Sequence, residues 1–185
     1  MQIKTKGRIQ MRNKKSIVIV STSMSEASRS RLALSYCEQV ILDCASENIG
    51  YDFLDVRDIH TSYTSKKAKA YIKKFQKADA IIMGIPIHNW GASAQAIDFL
   101  SNAIDSEQIK AFRPCILIGG AGSDRALLAL DGIVRSFLTE TNAMILGKPI
   151  IVSANETNQE KTEMNDNVVE RLEKVLEKML ELLDA

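Results

Sequence analysis

Hydroxyl side chains are concentrated at residues 21–30, a segment with the sequence STSMSEASRS. Serine hydroxyls and arginine guanidinium groups both donate hydrogen bonds to phosphate oxygens. The segment is therefore a candidate site for a phosphate monoester, and Arg31 follows it directly. The candidate phosphate ligands are Ser23, Ser25, Ser28, Arg29 and Ser30. In a simpler interpretation, Ser28 or Ser30 only caps the helix that follows.

Two later segments carry residues that suit a flat aromatic ligand. Proline, histidine and tryptophan can edge or cover a ring, and glycines let the backbone come close to one because no side chain intervenes. The first segment supplies Pro86, Ile87, His88, Asn89 and Trp90. The second supplies Gly119, Gly120, Gly122 and Ser123. Alternatively, His88 is structural, Trp90 packs in a subunit interface, and the glycine segment is a flexible connector.

Each of these three segments follows a predicted strand. Apolar runs at 17–20, 80–85 and 115–118 are typical of strands buried on both faces. Further strands are predicted at 51–56 and at 144–152, the latter interrupted at 147–149. Pro86 is predicted to end the third strand.

Apolar residues at helical spacing follow every strand, so five helices are predicted. The first ends near residue 46 with Gly50 as a left-handed cap, and Ser65 and Ser93 begin the second and third. The fourth and fifth helices are predicted at about 125–142 and 162–183. This alternation indicates a parallel sheet with helices on both faces, a three-layer doubly wound α/β fold.

In such a sheet, ligands bind at the carboxyl edge, where the three polar segments meet. A phosphate site at one end and a ring site at the other describe a mononucleotide such as FMN. The first strand is not followed by the G-x-G-x-x-G pattern of dinucleotide-binding folds, and G-x-x-x-x-G-K-[ST] is also absent. The pattern therefore argues against a dinucleotide-binding Rossmann domain and against an NTPase.

Composition limits the function classes further. The chain has 185 residues and a formal net charge of +1, which predicts no attraction to nucleic acid or acidic membranes. Residues 1–15 are basic and predicted to be a flexible tail, with one domain at 16–185. Cys37, Cys44 and Cys115 are predicted to be reduced, buried thiols of a cytoplasmic protein. No metal-ligand spacing joins the two histidines, so no metal site is predicted.

Three motifs make the chain similar to the NADPH-dependent FMN reductase family. The family's G-S-x-R-x-x-S loop resembles the serine segment, where Ser23, Ser28 and Ser30 match hydroxyl positions and Ser25 replaces the arginine. A second family signature, A-D-x-hydrophobic-P-x-Y-N followed by S-G-A-L-K-N, resembles residues 78–89 and 93–98. There His88 replaces tyrosine and Ile97 replaces lysine. The third is the glycine loop followed by a leucine-rich helix at 119–131.

The resemblance implies a flavodoxin-like fold with five parallel strands in the order 2-1-3-4-5. It implies an FMN-dependent enzyme that takes hydride from NADPH or NADH and passes electrons to an acceptor such as a quinone. No side chain is expected to act as a catalytic acid or base. Two alternatives remain open from the sequence: a non-catalytic electron carrier like flavodoxin, and a flavin-free interaction protein on the same fold.

The resemblance also implies a homodimer or homotetramer with each flavin near a neighbouring subunit. The last predicted helix has an apolar stripe at Val168, Leu172, Val175, Met179 and Leu182. Packing of this helix on the sheet would bury most of that stripe. The third predicted helix carries alanines that permit close approach of another helix. Trp90, the last residue of the segment at 86–90 (the ring segment), is expected to be partly buried by a partner chain.

Overall fold

The computed structural model describes residues 14–104, 109–110, 113–141 and 143–185. Most of the predicted basic tail, and the predicted end of the fourth helix at Asn142, lie outside these residues. The strands are β1 (Lys15–Ser21), β2 (Ile49–Asp55), β3 (Ala80–His88), β4 (Gly91–Ala92), β5 (Pro114–Gly120), β6 (Met144–Ile145) and β7 (Ile150–Val152). The α-helices are α1 (Arg29–Cys44), α2 (Lys66–Lys77), α3 (Ala94–Ala103), α4 (Asp131–Thr141) and α5 (Asp166–Asp184).

The central sheet runs in the order β2-β1-β3-β5-β6, and all of these strands are parallel. β7 pairs with the carboxyl half of β5, while β6 pairs with its amino end. β6 and β7 are thus the two halves of the predicted interrupted fifth strand. The predicted doubly wound fold and strand order are confirmed.

Both faces of the sheet are covered by apolar layers. One layer contains the aromatic side chains Phe75, Phe99 and Phe137, from α2, α3 and α4. The other contains Leu34 of α1 and Leu172 of α5. β1 and β3 are buried along nearly their full length because they lie in the middle of the sheet, which explains their continuous apolar sequences.

Side chains cap the helices where the sequence predicts it. Ser28, Ser65 and Ser93 accept hydrogen bonds from the backbone N–H groups of Arg31, Ala68 and Ala96. These contacts satisfy donors that would otherwise be unpaired in the first helical turn.

Two predictions about glycine and proline are wrong. Gly50 does not cap α1, which ends at Cys44; it lies inside β2 opposite Ser16. Pro86 does not end β3: the pairing of β3 with β1 stops at Gly84, but its pairing with β5 continues to Pro86 itself. β3 instead runs on to His88 and turns back as the short strand β4.

Two predicted helix starts and one predicted burial also differ from the structure. The start of the fourth helix is a 3-10 helix at Asp124–Leu130, and the α-helix begins only at Asp131. The last helix begins at Asp166, since Asn165 supplies its cap. Cys37 and Cys115 are buried, but Cys44 is exposed at the end of α1, and all three are free thiols. Within the described residues, no helix has the length and apolar content needed to cross a membrane.

Candidate functional site

A cavity of about 410 Å³ opens at the carboxyl ends of β1, β3 and β5. Nine of the fourteen predicted site residues line it. They are Ser23, Ser25, Ser28, Arg29, Pro86, Ile87, His88, Gly120 and Gly122. The carboxyl edge therefore brings the three predicted segments together around one space.

The loop after β1 is folded by its own hydroxyl groups. The Thr22 hydroxyl donates to the carbonyl of Gly84 at 2.8 Å, which joins the loop to β3. The Ser23 hydroxyl accepts from the backbone N–H of Ser25 at 3.2 Å and donates to the carbonyl of the same residue at 3.1 Å. The loop thus has a defined shape, and Ser25 remains exposed at the cavity.

The amino end of α1 closes one end of the cavity. Ser28 is the cap residue of this helix, so both interpretations of that serine are compatible with its position. Its hydroxyl lies 3.1 Å from the Ser30 hydroxyl, and Ser30 is buried beneath it rather than on the cavity wall. Unpaired backbone N–H groups and the positive end of the helix dipole make this end favourable for an anion.

Arg31 does not face the cavity but fixes the loop from behind. Its guanidinium donates to Asp55 at 2.7 Å and to the carbonyl of Ser23 at 3.4 Å. Arg57 also binds Asp55, with its Nη2 2.8 Å from the carboxylate. Burial alone would raise the pKa of Asp55, but the hydrogen bonds from Arg57 and Arg31 outweigh it and lower that pKa below its ordinary value.

Gly120 lets α1 approach the end of β5. A Cβ atom at this position would lie 2.6 Å from the backbone nitrogen of Ser30, far inside van der Waals contact. Gly122, in contrast, has no atom within 4 Å of such a Cβ, so it leaves open space at the cavity wall. Gly119 is required for core packing, since a Cβ there would lie 2.6 Å from the side chain of Ile151 and 2.8 Å from that of Ile87.

The predicted ring segment divides at His88. Pro86, Ile87 and His88 line the cavity, whereas Asn89 and Trp90 form the two-residue turn between β3 and β4. Both turn residues have positive φ, 48° and 63°, as a type I′ turn requires. Trp90 is 67% exposed, and this turn holds it outside the cavity lining.

Ser123 also lies outside the cavity lining. Its hydroxyl accepts from the N–H of Arg125 at 3.2 Å and caps the 3-10 helix. Together with Ser30, Asn89, Trp90 and Gly119, it is one of five predicted site residues that the structure places beside the cavity but not on its surface.

Seven cavity residues were not among the predicted site residues. They are Thr22, Met24, Ala27, Ser93, Gln95, Ala121 and Lys161. Ser93 is brought in by the β3–β4 turn, where its N–H donates to the carbonyl of Pro86 at 2.8 Å. Position alone could have suggested Thr22 and Ala121, which lie inside predicted segments, but nothing near Lys161 in the sequence resembles a binding motif.

Comparisons with known proteins agree with this architecture. The model of the NADPH-dependent FMN reductase family matches residues 15–158. The chain resembles the apo form of an NADH:FMN oxidoreductase (EMOB), with a TM-score of 0.70, 19% identity, and coverage of 90% of this chain and 88% of the other. A search of curated protein sequences finds no significant match.

Two further solved structures have the same fold. The flavoenzyme NAD(P)H:(acceptor) oxidoreductase FerB from Paracoccus denitrificans gives a TM-score of 0.65 at 12% identity, covering 90% of this chain and 96% of FerB. Oxidised flavodoxin 1 from Bacillus cereus gives 0.59 at 17% identity, covering 92% of this chain and 98% of the flavodoxin. At such identities these similarities establish the fold, and the family match carries the assignment of function.

Proposed function

The chain belongs to the NADPH-dependent FMN reductase family and is an FMN-dependent NAD(P)H oxidoreductase, and we propose that the cavity at the carboxyl edge of its sheet holds the flavin. The observation that carries the proposal is the polarity of this cavity. Hydroxyls, backbone N–H groups and the cations lie at the serine-loop end. The other walls combine proline, isoleucine, alanine and glycine with the polar side chains of His88, Ser93 and Gln95. This donor set fits a phosphate next to a flat ring.

The residues of the serine loop, the segment at 21–30, would hold the phosphate. Ser25 is exposed to the cavity, Ser28 and Arg29 lie at the amino end of α1, and Ser23 holds the loop in shape. Pro86, Ile87 and His88 would flank one side of the ring. Gly120 and Gly122 would let the backbone lie close to its other side.

The contribution of the protein is binding and orientation. Bound FMN supplies the redox chemistry: it accepts hydride from the reduced nicotinamide and passes electrons to an acceptor. The buried end of β3 and the α1 terminus hold the site on rigid elements, which keeps the binding groups in place. His88 is exposed at the cavity mouth and would contact the ring edge or an incoming substrate.

We expect the purified chain with added FMN to oxidise NADPH or NADH in air, measured by the loss of nicotinamide absorbance. Under anaerobic conditions the nicotinamide should bleach the flavin colour. The matched controls are the protein without FMN and FMN without the protein. Retention of flavin with no bleaching by either nicotinamide would instead identify an electron carrier.

We also propose that the chain forms homo-oligomers through the surface that carries α3 and the 3-10 helix before α4. Ile97 and Leu128 are 54% and 84% exposed there, and Trp90 is exposed nearby. An apolar groove lined by Leu100, Ile133 and their neighbours lies between α3 and α4. The α5 stripe is not available for this role, because most of its apolar side chains pack against the sheet in the chain's own core.

Light scattering should therefore give a mass above the 20.5 kDa of one chain at micromolar concentration. Replacing Leu128 by aspartate should reduce the mass to that of a monomer, since a buried carboxylate without a partner is costly. Leu42→Asp is the matched control, because Leu42 is 59% exposed on α1 and should leave the mass unchanged. A wild-type monomer in the presence of FMN would contradict the proposal.

We also propose a cellular location and a domain extent for the chain. The three free thiols support a cytoplasmic location, where reducing conditions keep cysteines unpaired. Residues 16–185 are proposed to form one FMN-binding domain, because both apolar layers pack on the same sheet.

A further inference from the structure

We propose that Lys161, beside Arg29, provides a second cation that recognises the FMN phosphate, in place of the family's loop arginine, where this chain has Ser25. The inference rests on the proposed function, because it concerns the same cavity. Lys161 lies beyond residues 15–158, the part of the chain that the family model matches. It lines the cavity nonetheless, together with Ser25, Ala27 and Arg29.

Lys161 lies in a small folded loop at 157–164, between β7 and α5. Thr157 and Met164 pair as an isolated antiparallel bridge, and the N–H of Asn158 donates to the carbonyl of Glu163 at 3.2 Å. The Asn158 side chain accepts from the N–H groups of Thr162 and Glu163, at 2.8 and 3.1 Å. These bonds determine the shape of the loop independently of any ligand.

The backbone of Lys161 is held in an unfavourable conformation. Its φ of 57° lies in the left-handed region, where the Cβ of an L-residue crowds the following carbonyl oxygen. The N–H of Lys161 donates to the carbonyl of Asn158 at 3.1 Å, so the loop maintains this conformation. Strained residues of this kind occur preferentially where a side chain must be presented to a ligand.

Two hydrogen bonds attach the loop to the phosphate end of the cavity. Arg29 Nε donates to the Thr157 hydroxyl at 3.1 Å, and Lys161 Nζ donates to the carbonyl of Ala27 at 3.2 Å. The Ala27 bond uses one of the three donors of the ammonium group. Lys161 makes no ion pair with any carboxylate of the described residues, so two donors and the full charge remain for a ligand.

The charges around the cavity favour an anion next to Lys161. Arg29 and Lys161 are its charged lining residues, and no aspartate or glutamate of the described chain lines it. Glu26, in the serine loop, pairs with Arg57 at 3.6 Å, and Asp55, behind the loop, pairs with Arg31 and Arg57. Two cations beside a helix amino end, with no competing carboxylate on the wall, favour binding of a phosphate dianion over binding of an uncharged ribityl hydroxyl.

The test compares FMN with riboflavin, which lacks the phosphate, in fluorescence titrations of wild type and variants without turnover. Lys161→Gln should weaken FMN binding by about ten- to hundredfold and leave riboflavin binding within about twofold of wild type. It should also reduce the salt dependence of FMN affinity, because one phosphate-cation contact is lost. Lys161→Arg should retain the preference for FMN.

Two further variants make the result specific. Lys174→Gln, on α5 and outside this cavity, is the matched control and should change neither affinity. Lys161→Gly removes the same charge but relieves the left-handed strain, so it should fold at least as well as wild type and still lose the preference for FMN.

Each contrary outcome has a distinct meaning. Equal weakening of both flavins by Lys161→Gln and Lys161→Gly would show that Lys161 only shapes the loop, and no weakening would show that it does not contact the phosphate. Either result overturns this inference while leaving FMN binding intact. A wild-type protein that binds FMN no better than riboflavin would overturn the phosphate assignment itself.

Discussion

Gly120→Ala should raise the Kd for FMN by about 10- to 100-fold, the loss expected when charge-assisted hydrogen bonds to the phosphate are broken. The added Cβ would lie 2.6 Å from the backbone nitrogen of Ser30, 3.1 Å from its Cβ and 3.3 Å from the Cβ of Arg29. None of these atoms is the end of a flexible side chain. The amino end of α1 must therefore move away from β5, and the proposed phosphate site moves with it.

The same substitution should lower the free energy of unfolding by about 1–3 kcal/mol, as overpacking of a close contact does. Urea titration measures this quantity and flavin fluorescence measures the Kd. Gly132→Ala is the matched control, because a Cβ at that position in α4 meets no atom within 4 Å. It should leave FMN binding unchanged and stabilise the helix by about 0.5–1 kcal/mol. Wild-type affinity in Gly120→Ala would refute the role of the α1–β5 contact.

Asp55→Ala should lower the free energy of unfolding by about 2–3 kcal/mol, because it removes charged hydrogen bonds and leaves Arg31 without a carboxylate partner and Arg57 with Glu26 alone. The side chains of Asp55 and Arg31 are each only 16% exposed, so water replaces the lost contacts poorly. Arg31 also donates to the carbonyl of Ser23, and its release should loosen the serine loop and weaken FMN binding. Asp52→Ala, in the same strand, is the control.

Asp52 pairs with Lys74 at the surface, where both side chains are more than 40% exposed, so its loss should cost about 1 kcal/mol or less. The pH dependence gives a second measurement. Because the folded state lowers the pKa of Asp55, its stabilisation is present above the ordinary pKa of about 3.9 and is lost as the pH falls through the lowered value. The difference between wild type and Asp55→Ala should therefore be constant near pH 7 and shrink below about pH 4. A difference that grows on acidification would contradict this assignment.

Local sequence patterns account for most of the fold. The apolar runs in β1 and β3 predict buried strands because both faces of a central parallel strand lack contact with water. Ser65 and Ser93 predict helix starts because a serine hydroxyl can satisfy a free N–H within three residues. Such signals depend on neighbours in the chain and are therefore visible without the tertiary structure.

The errors in the predicted elements arise where distant contacts override local preference. Gly50 looks like a helix cap, but pairing with Ser16 places it in a strand. Pro86 looks like a strand end, but β3 continues through it beside Gly120 of β5. Asn89 and Trp90 belong to the ring segment in sequence, yet the type I′ turn that joins β3 to β4 holds them away from the cavity. Pairing energy between strands decided each of these positions.

By itself, the sequence determined the order of strands and helices, the three polar segments and their meeting at the carboxyl edge of the sheet, because strand direction brings those ends together. Only the tertiary structure decided which side chains reach the cavity. Arg31 is drawn away by Asp55, Ser30 is covered by Ser28, and Lys161 reaches Ala27 across 134 residues of chain. The orientation of each of these side chains is set by partners that no local pattern contains, since the fold alone places them within hydrogen-bond distance.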